Sequence, residues 1–496
     1  MDRRKFLRDT SVVGSSCLLP LVPGAKLLAA AMPADLVDFS ALELSTAIAR
    51  KQVSCVEAMQ AYLQHIHRVN PVYNAIVGLV EDDQLIDQAR LADRELAEGR
   101  VRGWMHGLPH AVKDLTPVTG LLYTSGSPLF ADRIAESDAS FVSRLRNSGA
   151  IFIGKTNSPE FGLGSQTYNP VFGPTASAWN PNLTAGGSSG GAASGLGTHM
   201  LPVADGSDMM GSLRNPGAFN NVIGFRPSAD LMRDTKPQTM PLSTSGPMGR
   251  NTADTIQLLQ TMAPSPIGGE FKPLNLDGLR IGWLGNLEGY LAVESGILPL
   301  CERELRTLQN TGASVEPVMP RFSLTDLWES WTTLRHSGRT GLRQYYDDPE
   351  TRSQLKPELI YEIEQLLALT EEDVNRANLI RAEWMKELDR LFAQYDFLAI
   401  PSAQVFPYSK DIPWPRFIGD RRMDTYHRWM EIVIPGSMGG VPVINVPVGF
   451  DSGDRPMGMQ IMGKYGDDKR VLEFGLAYEG LVDHLRRRPE LVTASA

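Results

Sequence analysis

The 496-residue chain has few cysteines and no extended cluster of positive charge. Its three cysteines, Cys17, Cys55 and Cys301, lack the spacing of a metal-binding site, and the sequence leaves open whether Cys55 and Cys301 form a disulfide. Lys and Arg total 48 against 57 Asp and Glu, so the formal net charge is −9. Because phosphate binding requires clustered basic side chains, we do not expect a nucleic acid as a partner.

An uninterrupted apolar run long enough to cross a membrane is also missing. The mildly apolar stretch over residues 11–31 is broken by Gly14, Pro20, Pro23 and Lys26. A membrane-spanning helix requires roughly 18 or more consecutive apolar residues. We therefore expect no stable membrane anchor.

The basic residues before this stretch favour an export signal instead. Arg3 and Arg4 form an adjacent pair, and Ala29–Ala31 offers the small residues that are typical of a cleavage site. The pattern resembles a twin-arginine signal, which a receptor reads and which is not an anchor. We predict that residues 1–31 are a twin-arginine export signal, that residues 32–496 form the mature domain, and that the protein is periplasmic or secreted.

Beyond this segment, helix and strand patterns alternate without internal repeats, which indicates one α/β domain. Ser40-x-x-Glu43 and Ser54-x-x-Glu57 are capping-box patterns that predict helix starts. Residues 322–394 are predicted to be a helix-rich insertion over the site, with Thr370-x-x-Asp373 as a start signal. The other predicted elements are strands at 74–80, 279–284, 313–318, 397–400, 443–446 and 457–462, and helices at 82–98, 295–310 and from Asp467 onward.

One motif points to nucleotide binding, but its residue types argue against that function. The segment Gly149–Thr156 fits G-x-x-x-x-G-K-[ST], in which the middle residues must form a loop around phosphate. Here Ala150–Ile153 are apolar and favour a β-strand. We therefore predict a core strand that ends near Lys155.

The segment from about residue 107 to residue 227 is dense in Gly, Ser and Asn, and it contains the residues that carry chemistry. Lys113 lies in His106–Asp114, and Ser188 follows it by 75 residues in Gly-Gly-Ser-Ser-Gly-Gly. Ser212 lies a further 24 residues on, in Gly-Ser-Asp-Met-Met-Gly-Ser-Leu-Arg. A lysine and two serines of this kind can supply a base, a proton relay and a nucleophile without histidine.

The glycines around Ser188 also fit G-x-S-x-G, the nucleophile elbow of another hydrolase class. That elbow requires a strand directly before the serine and a helix after it. The preceding residues Trp179–Thr184 have the composition of a turn, which disfavours the elbow.

In order and spacing, these segments resemble the amidase signature family of serine hydrolases. The match extends over about residues 107–227, with looser similarity along nearly the whole mature chain. Supporting segments are residues 154–161, 169–174, 224–227 and 458–463. The resemblance implies a single large α/β domain, with a mixed β-sheet core flanked by helices on both faces. It implies no metal ion and no organic cofactor.

The resemblance also assigns catalytic roles. Ser212 matches the nucleophile that forms the acyl-enzyme, Ser188 matches a proton-relaying serine on a cis peptide bond, and Lys113 matches the base. A buried lysine suits this role because desolvation disfavours its charged form and lowers its pKa. The backbone amides of Met209, Met210 and Gly211, with that of Ser212, are expected to form the oxyanion hole.

The nucleophile loop departs from the family pattern at one position. Family members usually carry Thr-Gly-Gly-Ser where this chain has Met209-Met210-Gly211-Ser212. Oxyanion binding uses a backbone amide, so a methionine is compatible with activity. If position 210 requires a positive φ, however, Met210 would be strained there, and its side chain would also narrow the acyl pocket.

Other polar residues near these motifs are interpreted as structural. Asp208 and Arg214 are expected to shape the loop that carries the nucleophile. His106, His110 and His199 lie near the motifs, but the lysine mechanism requires none of them.

Four hypotheses follow. The first is an exported amidase that hydrolyses a small-molecule carboxylic amide to an acid plus ammonia or an amine. The second is a binding relative whose oxyanion hole is impaired at Met210. The third is the ammonia-producing subunit of a tRNA-charging amidotransferase, which export would disfavour, and the fourth is an esterase-type hydrolase that uses Ser188. The sequence leaves open which amide is the substrate and which oligomeric state the protein adopts.

Overall fold

A computed structural model describes residues 35–235, 237 and 239–493 of the chain. The predicted export signal over residues 1–31 lies outside the described residues. Two large groups of buried apolar side chains form the core. One group joins the N-terminal helices to a small sheet, and the other surrounds the middle of a large sheet.

Fifteen strands are present in the described part of the chain. They are β1 (Ile76–Val77), β2 (Pro109–Lys113), β3 (Ile151–Thr156), β4 (Ala176–Ser177), β5 (Asn180–Thr184), β6 (Val203–Asp208), β7 (Ile223–Arg226), β8 (Thr244–Gly249), β9 (Arg280–Trp283), β10 (Ser314–Pro317), β11 (Phe397–Pro401), β12 (Phe417–Ile418), β13 (Arg421–Arg422), β14 (Val443–Phe450) and β15 (Pro456–Met462).

Eight of these strands form a mixed sheet in the order β10-β9-β11-β15-β14-β7-β8-β6. Strands β10, β9 and β11 pair in parallel. The remaining neighbours pair antiparallel, from β11 with β15 through to β8 with β6. The predicted strands at 279–284, 313–318, 397–400, 443–446 and 457–462 all belong to this sheet.

Fifteen α-helices are present in the same described residues. They are α1 (Ala41–Ala49), α2 (Cys55–Tyr73), α3 (Asp82–Ala97), α4 (Ser140–Asn147), α5 (Gly190–Gly197), α6 (Arg214–Asn220), α7 (Thr252–Met262), α8 (Ile297–Gln309), α9 (Leu324–Ser337), α10 (Arg343–Asp347), α11 (Pro349–Arg352), α12 (Pro357–Ala368), α13 (Glu371–Phe392), α14 (Ile434–Gly439) and α15 (Asp468–Glu479). Short 3₁₀ turns occupy Leu36–Asp38, Pro128–Phe130, Glu160–Gly162, Thr340–Leu342, Arg428–Val433 and His484–Arg486.

Helices cover both faces of the large sheet, as consecutive residues of β14 show. Side chains alternate between faces along a strand. Val443 packs against Gly436 of α14 on one face, whereas Ile444 packs against Gly475 of α15 on the other. The predicted α/β fold with a mixed, doubly covered sheet is therefore confirmed.

The three capping boxes that the sequence predicts are formed. The side chains of Ser40, Ser54 and Thr370 each accept a hydrogen bond from the backbone amide three residues later. The acidic side chain at that later position accepts one in turn from the backbone amide of the Ser or Thr. These bonds satisfy amides that a helix start leaves without a partner. The segment 322–394 contains α9 to α13, so its predicted helix content is confirmed.

A small sheet with the order β1-β3-β2 lies beside the β6 edge of the large one. Strands β2 and β3 are parallel. Asp205 of β6 connects the two sheets, because its carboxylate accepts a hydrogen bond from the backbone amide of Lys113 at 3.4 Å and contacts His110 Nε2 at 3.1 Å. This junction brings the ends of β2 and β6 together.

Two local predictions require correction. Residues Asn180–Thr184, interpreted as a turn, form strand β5 in a hairpin with β4, and the strand predicted at 74–80 is reduced to Ile76–Val77. A two-stranded ribbon tolerates Pro181 because its backbone nitrogen needs no ladder partner there. Three residues, Ala185 to Gly187, still separate β5 from Ser188, so no strand directly precedes this serine.

The segment that fits the phosphate-binding motif forms the predicted strand, β3. All six of its residues are buried. The Lys155 amine donates a hydrogen bond to the Thr116 backbone oxygen. The interpretation as a core strand ending near a hydrogen-bonded lysine is confirmed.

The remaining cysteines, Cys55 and Cys301, are both buried and free, so they do not form a disulfide. None of the helices in the described residues combines the length and apolarity needed to cross a membrane.

Candidate active site

Three separate elements bring Lys113, Ser188 and Ser212 together. Lys113 is the last residue of β2, and Ser188 lies in the loop between β5 and α5. The Gly187–Ser188 peptide bond is cis, as the family resemblance implies. Ser212 lies in the five-residue connection between β6 and α6. Because β2 and β6 meet at the junction of the two sheets, the lysine and both serine loops lie at one place.

In the part of the chain that the structure describes, the hydrogen-bond partners of the Lys113 amine are all hydroxyl groups. Its Nζ atom lies 2.8 Å from Ser188 Oγ, 2.8 Å from Ser189 Oγ and 3.1 Å from Ser207 Oγ. The residue is 1 % exposed. No carboxylate in the described part of the chain forms an ion pair with this amine, although the carboxylates of Asp205 and Asp208 lie close enough to act on it electrostatically.

This environment changes the acidity of the lysine. Burial lowers the pKa of Lys113 from 10.5 to about 7, although the negative charges of Asp205 and Asp208 act to raise it. The desolvation cost of the ammonium form outweighs the attraction of these two carboxylates. At neutral pH a large fraction of the amine is therefore uncharged and able to accept a proton.

Ser188 and Ser212 line the same cavity, which has a volume of about 150 Å³. Ser212 is 7 % exposed, and its hydroxyl makes no hydrogen bond to any side chain in the described ranges. Its backbone oxygen accepts a hydrogen bond from the Ser189 amide at 3.3 Å. The Ser212 hydroxyl is thus free to face a bound substrate, and it is not hydrogen-bonded to Ser188.

Asp208 fixes the loop that carries Ser212. Its carboxylate accepts hydrogen bonds from the backbone amides of Gly211 at 2.9 Å and Leu213 at 3.1 Å. Arg214 contributes a two-point ion pair at 3.0 and 2.7 Å, and Arg226 lies 3.5 Å away. Burial acts to raise the pKa of the Asp208 carboxyl, but the two guanidinium groups and the amide hydrogen bonds hold it well below its usual range.

Arg214 uses its remaining donors on the opposite side of the loop. It donates to the backbone oxygen of Val433 at 2.9 Å, to Gln460 Oε1 at 2.6 Å and to Ser437 Oγ at 2.7 Å. Asp208 and Arg214 therefore connect the nucleophile loop to β15 and α14, which agrees with their predicted structural role.

The left-handed residue of this loop is Gly211 and not Met210. Gly211 has a φ of 77°, and a side chain there would also collide with Val433. Met210 is not among the residues with positive φ, so the strain considered for it does not arise. Met209 and Met210 both line the cavity. The Gly211 amide donates to Asp208, so of the four amides predicted for the oxyanion hole, those of Met209, Met210 and Ser212 do not share this bond.

The three histidines near the motifs lie away from the cavity, and each has a partner. His106 Nε2 lies 2.9 Å from the Ala92 backbone oxygen, and His110 Nε2 lies 3.1 Å from Asp205. His199 Nδ1 lies 3.2 Å from Asp38. Their structural interpretation agrees with these contacts.

Sequence reasoning missed two groups of residues at this site. Ser189 and Ser207 complete the hydroxyl shell of Lys113; the first is adjacent to Ser188, and the second occupies the β6 face that points toward β2. Arg335 and Arg339 also line the cavity, together with Met209. These arginines follow Ser212 by more than a hundred residues, so no local signal connects them to it.

One buried group of three residues could in principle hold a metal ion. The ligand atoms of His336, Glu362 and His427 lie within 4.8 Å of one another. The Glu362 carboxylate, however, already pairs with Arg335 and Arg339 and accepts a hydrogen bond from Tyr426. Two guanidinium groups at the same carboxylate disfavour a metal cation there.

The comparisons with known proteins agree with this geometry. The amidase family model matches residues 57–472. The chain is 31 % identical over 474 residues to an acylamidase from Rhodococcus erythropolis, covering 91 % of this chain and 97 % of the relative. It is 29 % identical over 477 residues to a glutamyl-tRNA(Gln) amidotransferase component from Thermus thermophilus, covering 88 % and 96 %.

Among solved structures, a bacterial aryl acylamidase of the amidase signature family superimposes with a TM-score of 0.81 at 25 % identity. The alignment covers 89 % of this chain and 96 % of that structure. The chain therefore belongs to the amidase signature family and is a hydrolase that acts on amide carbon–nitrogen bonds.

Proposed function

We propose that the protein hydrolyses a small-molecule carboxylic amide to an acid plus ammonia or an amine, through an acyl-enzyme on Ser212. The observation that carries this proposal is the buried Lys113 amine, which is 2.8 Å from Ser188 Oγ in a cavity that Ser212 also lines. A serine hydroxyl is a poor nucleophile until a base removes its proton. Here the base is an amine whose pKa of about 7 lets it accept that proton at neutral pH.

The proton travels through Ser188. An uncharged amine has one lone pair, so Ser188 donates its hydrogen to Lys113 Nζ and accepts the hydrogen of Ser212 in turn. This transfer requires the Ser212 hydroxyl to turn toward Ser188, and catalytic hydrogen bonds of this kind tighten when substrate binds. As the proton leaves, Ser212 Oγ attacks the amide carbonyl carbon.

The tetrahedral intermediate places a negative oxygen beside the nucleophile loop. The amides of Met209, Met210 and Ser212 are its donors in this proposal, with the Gly211 amide reserved for Asp208. When the carbon–nitrogen bond breaks, the proton returns from Lys113 through Ser188 to the leaving nitrogen. Water then attacks the acyl-enzyme by the same relay and releases the acid.

A serine-directed fluorophosphonate tests this assignment. We expect the probe to label Ser212 in the wild-type protein and not in Ser212→Ala. We also expect Ser212→Ala to lose at least about 10³-fold in amide turnover, because the covalent path is removed. Full turnover in a clean Ser212→Ala preparation would contradict the proposal, and an unlabelled Ser212 would favour a binding relative.

A panel of amides, with ammonia and amine release both measured, would define the product class. Glutamine belongs in the panel because one relative is part of an amidotransferase. Hydrolysis of simple acyl amides without any tRNA supports a free-standing amidase. Ammonia release from glutamine alone would support the amidotransferase alternative.

We further propose that residues 1–31 direct export by the twin-arginine route. The support is the Arg3-Arg4 pair followed by a mildly apolar stretch and small residues at Ala29–Ala31. Replacing both arginines with lysine should hold the protein in the cytoplasmic fraction of a bacterial host. Unchanged export of that variant would exclude the route.

A further inference from the structure

Two arginines form one wall of the cavity that Ser212 lines. Arg335 is near the end of α9, and Arg339 follows four residues later. Arg335 Nη1 lies 3.5 Å from Met209 Sδ, and Arg339 Nη2 lies 3.9 Å from the same sulfur. Met209 precedes the nucleophile by three residues, so both guanidinium groups face the nucleophile loop.

The two positive charges share a single carboxylate. Arg335 Nε donates to Glu362 Oε1 at 2.6 Å, and Arg339 Nε donates to Glu362 Oε2 at 2.9 Å. Arg335 Nη2 donates to the Tyr426 hydroxyl at 2.7 Å. Two guanidinium groups and one carboxylate leave the cluster with a charge of +1.

Among the described residues, the other groups that contact this cluster do not supply a second negative charge. Burial lowers the pKa of His336 to about 4 and lowers that of His427 well below its usual range, so both rings are neutral near pH 7. Burial raises the pKa of Tyr426, so its hydroxyl stays neutral as well. Of the described residues that line the cavity, none is acidic, and the charged ones are the two arginines.

The edges of the guanidinium groups that face the cavity have a poor partner. A thioether sulfur is a weak acceptor, and Met209 is the group that both arginines contact there. A buried cation without a counter-charge is costly, and an arginine pair suits the two oxygens of a planar anion. The site therefore has the chemistry of a carboxylate-binding pocket.

We propose that Arg335 and Arg339 bind a carboxylate group of the amide substrate and so select anionic amides over neutral ones. This inference rests on the proposed function for the reacting amide, but the anion-binding step is independent of catalysis. The acyl chain or the amine portion of the substrate would carry the carboxylate. In either arrangement, the substrate spans from Ser212 to the arginine wall of one cavity.

Binding to the Ser212→Ala protein tests the proposal without turnover. One ligand series has the carboxylate on the acyl side: linear dicarboxylic monoamides of increasing length, each compared with its neutral diamide. A second series has it on the amine side: N-acetyl ω-amino acids compared with N-acetyl alkylamines of equal length. We expect at least one anionic ligand to bind about 10- to 100-fold more tightly than its neutral counterpart.

Variants of Arg339 connect this preference to the cluster. In the Ser212→Ala background, Arg339→Gln should reduce the preference for the anionic ligand about tenfold or more. Arg339→Lys should retain part of it, because the charge remains while the two-point geometry is lost. Arg343→Gln is the matched control, since Arg343 is half exposed and pairs with Asp347 outside the cavity. This control should keep the wild-type preference.

The outcomes separate the inference from the proposed function. Equal affinity for anionic and neutral ligands in both series would overturn the carboxylate pocket, even if wild-type protein hydrolyses neutral amides at Ser212. So would an anion preference that Arg339→Gln leaves unchanged. Tight, Arg339-dependent binding of an anionic amide that wild-type protein does not hydrolyse would support the pocket and contradict the proposed function.

Discussion

Strand β6 separates two buried cationic groups, one without an ion pair and the other paired with a carboxylate. Ser207 and Asp208 are consecutive residues at its end, so their side chains point to opposite faces. On one face, Ser207 contacts the Lys113 amine, whose hydrogen-bond partners among the described residues are all hydroxyl groups. On the other, the Asp208 carboxylate pairs with Arg214 and Arg226.

The difference shows what a counter-charge does to a buried cation. Arg214 is ion-paired at two points and serves to hold the nucleophile loop. Lys113 is equally buried, but it lacks such a pair, and burial brings its pKa down to about 7. At the end of the same strand, the ion-paired arginines therefore hold the loop in place, whereas the lysine without an ion pair has the lowered pKa that the proposed mechanism requires of its base.

The largest effect should come from replacing the base. We expect Lys113→Met to lower kcat about 10³-fold, because the apolar side chain fills the space but cannot accept a proton. Lys155→Met is the matched control, since Lys155 is also a buried lysine but lies outside the cavity. Amide turnover and the free energy of unfolding should be measured for both. Loss of activity in both variants to the same degree would contradict a specific role for Lys113.

Removing the counter-charge from the paired cluster should mainly affect stability. Asp208→Asn leaves Arg214 and Arg226 buried without their carboxylate, and we expect the free energy of unfolding to fall by about 3–5 kcal/mol. Asp234→Asn is the control, because its ion pair with Arg144 is half exposed and should contribute about 1 kcal/mol or less. Urea unfolding monitored by circular dichroism measures both variants. If Asp208→Asn and Asp234→Asn lowered the free energy of unfolding equally, burial would not determine how much an ion pair contributes to stability.

A smaller effect should distinguish the hydroxyl groups around Lys113. We expect Ser188→Ala to lower kcat about 10²-fold, because it interrupts proton transfer, and Ser207→Ala to lower it less than about tenfold. Both serines contact the amine, but Ser207 lies on β6 and is not on the proposed proton path. Kinetics at saturating substrate compare them. Full activity of Ser188→Ala would contradict the role of Ser188 as proton relay. A greater loss of kcat in Ser207→Ala than in Ser188→Ala would assign the relay to Ser207 instead.

Much of the fold could be predicted because its signals are local. Each of the capping boxes that begin at Ser40, Ser54 and Thr370 spans only four consecutive residues, and all three are present in the structure. The strand Ile151–Thr156 was predictable despite its phosphate-loop pattern. The four middle positions of that pattern, which accept any residue type, hold apolar, β-favouring residues here. Asn180–Thr184 was mistaken for a turn because its pairing with β4 is a tertiary choice that outweighs local propensity.

The residues of the candidate site also divide into those that local motifs indicate and those that only tertiary packing brings in. Lys113, Ser188 and Ser212 could be found from the sequence because each lies in a glycine-rich or strand-end motif of recognisable spacing. Arg335 and Arg339 could not, since they approach the nucleophile loop only when α9 packs over it. The Gly211 amide was expected in the oxyanion hole, but it donates its hydrogen bond to the Asp208 carboxylate. The sequence does not indicate which backbone amide such a carboxylate accepts a hydrogen bond from.

The central claim is that an uncharged Lys113 activates Ser212, and the pH dependence of Ser212 acylation tests it most directly. The lysine is inactive as a base when protonated, so the rate of fluorophosphonate labelling should fall about tenfold per pH unit below the pKa and level off above it. That pKa should be about 7 in the wild-type protein. In Lys113→Met the residual labelling should be slow and should lose this titration. A wild-type rate independent of pH between about 5 and 9, or one that Lys113→Met leaves unchanged, would contradict the account.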